Sequence, residues 1–206
     1  MKPQFKGIIF DLGKVIFNYS FSNAYEVWSK FTNLTAEEVR NKFKFDIYFE
    51  LYECGRISTN QFRESVNEKL GAVLNNDDFE LGWNSIYLDV YLGTDNLLKL
   101  LKENYRIVAL TNTNELHKKI WSAKFEPILN NFENVFCSHE IGYRKPDYKT
   151  FETVIEYLKI EKKDLLFLDD NIINISSSKQ FGINSLLVKN FEQMILELEI
   201  NGVKTR

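Results

Sequence analysis

Gly7-Ile8-Ile9-Phe10-Asp11-Leu12-Gly13 sets an unbroken apolar run directly before an aspartate, with a glycine two residues further on. A run of this length without polar alternation suits a strand buried on both faces, as in a parallel sheet. Three later runs have the same form, at 107–110, 165–168 and 185–188, and each gives way at once to polar or small residues. Helical patterns lie between them. Residues 95–103 carry Leu97, Leu98, Leu100 and Leu101, and residues 146–158 carry Phe151, Val154, Ile155 and Leu158. Pro146 is suited to the first turn of the second of these helices. The alternation predicts an α/β fold, a doubly wound parallel sheet with right-handed crossovers.

Residues 18–92 follow another rule. Segments 21–31, 35–45, 58–70 and 77–87 read as helices, with no clear strand between them. Thr35 and Glu38 have capping-box spacing, and Ser58 and Asp77 are candidate N-caps. An all-helical block after the first strand predicts an inserted helical cap subdomain over 18–92. The core is then 1–17 and 93–206, with hinges near 16–20 and 89–94.

Composition sets bounds on this reading. With 206 residues, the chain accommodates one domain plus a modest insertion. A net charge of −3 with both signs interspersed argues against a nucleic-acid or anionic-membrane partner, either of which calls for a basic stripe. Aromatic residues crowd between Phe5 and Tyr91, which predicts an aromatic helical interior or an aromatic-lined cleft. Cys54 and Cys137 stand apart, in no CxxC or Cys/His pattern, and read as reduced thiols rather than a disulfide or zinc site. The first apolar run is too short for a signal-peptide core or a membrane span, so a cytoplasmic address is expected. Oligomeric state is silent, with no heptad seam.

In open parallel sheets, ligands bind beyond the carboxyl ends of the strands. The residues there are Asp11-Leu12-Gly13, Thr111-Asn112-Thr113-Asn114 and Asp169-Asp170-Asn171, with Arg144-Lys145-Pro146-Asp147 before the third. A single aspartate at a strand end is usually a turn residue. Three carboxylates, a Thr/Asn pair and a lysine arriving in this order from successive strands point to chemistry.

Phe10-Asp11-Leu12-Gly13-Lys14-Val15, Leu110-Thr111-Asn112, Arg144-Lys145-Pro146 and Leu168-Asp169-Asp170 with Asn174 resemble the four motifs of the haloacid dehalogenase (HAD) superfamily. They span almost the whole core. More narrowly, the chain is similar to the bacterial α-D-glucose-1-phosphate phosphatase group. That likeness rests on Thr111-Asn112-Thr113-Asn114 with Leu116-His117 and Trp121, and on Glu53-Cys54-Gly55-Arg56-Ile57-Ser58. The resemblance implies a phosphatase of small phosphorylated metabolites, with a sugar phosphate as the leading substrate. Asp11 is then the nucleophile that forms an aspartyl-phosphate. Mg2+ is expected between Asp11, the Gly13 carbonyl and Asp170, with Asp169 binding it directly or from behind. Thr111 and the Asn112 N–H hold phosphate oxygens, Lys145 offsets charge on phosphate and Asp11, and Asn174 orients an aspartate or its loop. Tyr48, Arg56 and Trp83 are candidate cap contacts to substrate, while His117 and His139 read as structural or surface histidines.

One position departs from the usual pattern. Most HAD phosphatases carry a second aspartate two residues after the nucleophile as general acid and base; Gly13 stands here, as in the glucose-1-phosphate group. Without a proton donor, anomeric and aryl phosphates are expected to outpace primary-alcohol phosphates, unless water on the metal or a polar cap residue replaces it. Three rivals remain. A dehalogenase also lacks the second aspartate, but has no use for the doubled Asp169-Asp170. A phosphonatase needs a Schiff-base lysine from the cap, where Lys30, Lys42, Lys44 and Lys69 read as solvated. A non-catalytic HAD-fold binding protein would not be expected to keep every site residue.

Overall fold

A computed structural model of the chain describes residues 5–205. Residues 1–4, at the head of the expected core segment 1–17, and residue 206, at the end of 93–206, lie outside the described residues. Strand β1 (Gly7–Phe10) leads to β2 (Phe17–Tyr19) and then into five helices: α1 (Phe21–Ser29), α2 (Ala36–Lys42), α3 (Ile47–Glu53), α4 (Thr59–Leu70) and α5 (Asn76–Asn84). The chain returns through β3 (Tyr87–Val90) and then alternates. It runs through α6 (Thr94–Leu101), β4 (Arg106–Thr111), α7 (Glu115–Lys124), α8 (Glu126–Leu129), β5 (Val135–Cys137), α9 (Ser138–Ile141) and α10 (Tyr148–Leu158). The last elements are β6 (Leu165–Asp169), α11 (Ile172–Gln180), β7 (Asn184–Leu187) and α12 (Phe191–Ile200).

The main sheet has the order β5-β4-β1-β6-β7, and every neighbouring pair is parallel. Phe10 lies level with Ala109 on one side and Leu168 on the other, so Asp11 emerges beside Leu110 and Asp169 at one rim. Strand order reverses at β1, which opens a crevice there. Side chains alternate across the sheet. Ile8, Phe10, Ile107, Ala109, Leu166 and Leu168 face a core closed by α6, α7 and α12. Ile9, Val108, Leu110, Leu165 and Phe167 face the opposite core, under α10 and α11. Both faces are therefore covered, which is why these strands read as continuous apolar runs.

Helices α1–α5 enclose a third core, rich in aromatic rings, in which Trp28, Phe79 and Trp83 stack at centroid distances of 5.5–6.0 Å. The capping box at Thr35 and Glu38 forms, and Ser58 makes another with Gln61. Other local expectations are corrected. Asn75, not Asp77, caps α5, because its side chain reaches Asp78 N while Asp77 falls in the first turn. Pro146 lies ahead of α10, whose N-cap is Asp147, and the Lys145–Pro146 peptide bond is cis. The expected absence of strands in 18–92 also fails. Residues 87–90 leave the helical pattern and pair antiparallel with β2, because Tyr87 and Val90 pack onto the sheet's core instead.

Candidate active site

The carboxyl end of β1 delivers Asp11, whose N–H is fixed by Leu168 O at 2.8 Å. Lys145, only 1% exposed, reaches it from the loop before α10: Nζ lies 2.9 Å from Asp11 Oδ1 and 2.7 Å from Asp169 Oδ2. Burial works against the ammonium charge, but Asp11 and Asp169 outweigh it, and the Lys145 pKa rises. Burial also pushes the Asp11 carboxyl well above the usual carboxylate range, with Lys145 opposing and Asp169 and Asp170 adding to the rise. The Asp170 carboxyl is raised too, first by burial and then by Asp169. Carboxylate oxygens of Asp11, Asp169 and Asp170 lie within 4.8 Å of one another.

Asp169 is tied from behind. Asn171 N donates to Oδ1 at 2.7 Å, and Asn174 Nδ2 donates to Oδ1 and Oδ2 at 3.1 and 3.0 Å. Asn112 clamps the lysine loop: Nδ2 donates to Lys145 O at 2.9 Å, and Oδ1 accepts from Lys145 N at 2.8 Å. Thr111 ends β4 beside it and lines the same cleft, as do Asp11, Gly13, Lys145, Asp170 and Asn174. The cleft has a volume of about 630 Å³. Its far wall comes from the helical unit and the strands joining it, with Tyr19, Phe45, Phe49, Glu50 and Glu53 exposed to the cavity.

The sequence profile of the haloacid dehalogenase-like hydrolases matches residues 5–182. The chain belongs to this family. Among family relatives, D-ribitol-5-phosphate phosphatase of Bacteroides thetaiotaomicron is 24% identical over 201 residues, spanning 95% of this chain and 97% of that one. A HAD family enzyme from the same bacterium, in complex with magnesium and inorganic phosphate, is 29% identical with a TM-score of 0.76, covering 90% of this chain and 94% of that one. L-2-haloacid dehalogenase of Xanthobacter autotrophicus, at 17% identity and a TM-score of 0.67 over 98% of this chain and 84% of that one, shares the fold alone.

This HAD chain gathers Asp11, Gly13, Thr111, Asn112, Lys145, Asp169, Asp170 and Asn174 at one rim. The three residues expected from the helical unit lie elsewhere. Trp83 is fully buried, with Nε1 donating to Asn114 Oδ1 at 3.2 Å and its ring stacked on His117. Tyr48 is exposed, with Lys69 Nζ 5.1 Å from its ring centroid. Arg56 donates to Gly142 O at 3.3 Å and stands over Tyr143. None of them lines the cleft.

Sequence reasoning missed the residues of the helical unit and its joining strands that do, Tyr19 and Glu53 above all. Tyr19, on β2, fills the space beside Gly13: a Cβ there would meet Tyr19 Cε1 at 2.6 Å. Glu53 ends α3 and is buried, and its Oε2 accepts from Arg144 Nε at 2.8 Å. Glu50 adds a second contact to Arg144 Nη1 at 3.2 Å. The signal for Glu53 was in the quoted 53–58 segment, but a single glutamate there reads as solvated. For Tyr19 no sequence signal exists, since only the β2–β3 pairing swings its ring over Gly13.

His117 is structural, as expected. Its Nε2–H donates to Trp83 O at 2.9 Å, since a carbonyl can only accept, and its Nδ1 accepts from Asn114 Nδ2 at 3.1 Å. Burial pushes its pKa down to about 3. The two cysteines are free thiols. No helix among the described residues is long and apolar enough to cross a membrane.

Proposed function

We propose that this chain is a Mg2+-dependent phosphomonoesterase that works through an aspartyl-phosphate on Asp11 and acts on a small phosphorylated sugar or polyol. The observation that carries the reading is a charge imbalance. Three carboxylates converge within 4.8 Å, against one buried ammonium that already serves two of them. A metal-free dehalogenase has no use for that surplus negative charge, whereas a divalent cation and a bound phosphate oxygen turn it into a binding site.

The donor set fits Mg2+, which favours one or two hard carboxylates plus water and substrate oxygens. Asp11, Asp170 and the Gly13 carbonyl would hold the ion. Both oxygens of Asp169 are already hydrogen-bonded, so Asp169 supports the cluster from behind. The bound ion supplies charge neutralisation and Lewis-acid polarisation of the phosphoryl group. Asp11 attacks phosphorus in line with the leaving oxygen, and water later cleaves the aspartyl-phosphate. Lys145 screens phosphate from Asp11, and Thr111 with the Asn112 N–H holds non-bridging oxygens. Asn112 has a second task, because its side chain fixes the backbone of Lys145.

In this reading residues 18–92 act as a cap over a core of 1–17 and 93–206. The aromatic rings of Phe45, Phe49 and Tyr19 offer faces for the C–H bonds of a polyhydroxylated chain, and Glu50, Glu53 and Arg144 offer partners for its hydroxyls. The named activity of the Bacteroides relative supports a sugar or polyol phosphate, and the magnesium and phosphate bound by the solved HAD enzyme support the metal. Glucose 1-phosphate and ribitol 5-phosphate are the first compounds to test. The experiment is turnover of a phosphomonoester panel, with and without Mg2+, beside a 2-haloacid. Metal-dependent phosphate release is the expected result; haloacid turnover without metal overturns the reading.

A further inference from the structure

We propose that Glu53, reaching into the cleft from the end of α3, is the proton-transfer group of the reaction, in place of the carboxyl absent at Gly13; the inference rests on the phosphomonoesterase reading above. Gly13 itself cannot be supplemented locally, because the Tyr19 ring occupies the space its side chain would need. Four carboxyls line the cleft: Asp11, Asp170, Glu50 and Glu53. The first two belong to the nucleophile and the cation site. Glu50 is half exposed at the rim, its side chain 51% accessible, whereas that of Glu53 is 9% accessible. Arg144 holds only Oε2 of Glu53, and Oε1 has no hydrogen-bond partner among the described residues.

The surroundings suit the task. Glu53 faces Arg144 and Lys145 from the loop before α10, Glu50 and Cys54 from its own helix and cap, Tyr19 from β2 and Tyr87 from β3. Burial raises its carboxyl to about 7 against the opposing pull of Arg144. A group poised near the working pH can both give and take a proton. In the first step the Asp11 oxygen bonds to phosphorus, the bond from phosphorus to the leaving oxygen breaks, and the Glu53 proton moves to that oxygen. In the second step the Glu53 carboxylate takes a proton from water as the water oxygen bonds to phosphorus. The Asp11–phosphorus bond breaks, and inorganic phosphate leaves with Glu53 protonated again. The acid thus arrives on the helical unit, so chemistry waits on that unit being seated over the site.

The test is kcat/KM across phosphomonoesters graded by leaving-group pKa, from nitrophenyl phosphates to primary-alkyl phosphates, for wild type, Glu53→Gln, Glu53→Asp and Arg144→Gln. Wild type should show a shallow dependence. Glu53→Gln should lose roughly 10²–10⁴-fold on alkyl phosphates but less than about tenfold on nitrophenyl phosphate, where it should release a burst before slow turnover. Glu53→Asp keeps a carboxyl and should restore the shallow slope at a lower rate. Arg144→Gln should be slower throughout with the slope preserved. A steep wild-type slope overturns the proposal before any variant is made. Equal loss by Glu53→Gln on every leaving group also overturns it, leaving Glu53 as a strut for Arg144. Wild-type protein that turns over none of the series defeats the phosphomonoesterase reading instead.

Discussion

Replacing His117 by Phe tests how the helical unit is held to the sheet. The imidazole sits between Asn114, at the mouth of α7, and the carbonyl of Trp83 in α5, with its ring 4.4 Å from the Trp83 centroid. Its folded pKa lies near 3 against an ordinary 6.5. A depressed pKa means the unfolded chain binds the proton more readily, so the stabilisation is complete above pH 6.5 and is lost as pH falls towards 3. By pH 5 the loss from this one group is about 2 kcal/mol. His117→Phe keeps a stacked ring but does not titrate, and it removes the imidazole partner of the Trp83 carbonyl and of Asn114 Nδ2, at a cost of about 1–3 kcal/mol. Urea unfolding followed by tryptophan fluorescence should therefore show the variant less stable at pH 7.5, with the gap from wild type narrowing by about 2 kcal/mol at pH 5. Other acids titrate alike in both proteins and cancel. A gap that does not change between the two pH values refutes the neutral, buried assignment.

Asp11→Asn should abolish phosphate release while leaving the circular dichroism spectrum and melting temperature near wild type; appreciable turnover would point to a water nucleophile. Chelation with EDTA should stop hydrolysis and added Mg2+ restore it, and full activity after exhaustive chelation would remove the cation from the scheme. Gly13→Ala drives a methyl into the Tyr19 ring and should destabilise by about 1–3 kcal/mol in urea melts. The same change in a Tyr19→Ser background should be nearly neutral, and additive effects would contradict the contact. Asn112→Ala frees the backbone of Lys145 and should lower kcat/KM on an aryl phosphate by up to about 10²-fold, with no loss on titration meaning that the loop holds its own shape.

The sheet was legible because its central strands are buried on both faces and so read as continuous apolar runs. The site was legible because strand order and register carry Asp11, Thr111 and Asp169 to one rim. What escaped has physical causes. Helix α3 shows no amphipathic period, since Ile47 and Tyr48 face solvent while Phe49 and Tyr52 are buried. Strand β5 is three residues long at a sheet edge, too short to stand out from a loop. The helical pattern of 77–87 runs past the end of α5 to Tyr87, and only the pairing of Tyr87–Val90 with β2 decides otherwise. The cleft's far wall was the least legible part. Phe45, Phe49 and Glu53 look like ordinary core or surface residues until the helices are folded over the sheet, and Trp83, the most conspicuous aromatic there, is spent on internal packing.

The pairing of β2 with β3 also bears on the order of events during folding. Ile8 and Ile107 are cross-strand partners at the centre of the sheet, yet roughly 100 residues of chain separate them. Tyr19 and Tyr87 are partners too, and once they meet, the intervening helices drop out of the path, leaving an effective separation of roughly 30. Loop-closure entropy grows as the logarithm of length, so the shortcut lowers the cost of joining β1 to β4 by about 1 kcal/mol, worth roughly fivefold in rate. Helices α1–α5, stabilised largely by contacts within their own aromatic core, can form before the sheet does. Substitutions deep in that core, such as Phe79→Ala, should therefore slow the assembly of strands they never touch.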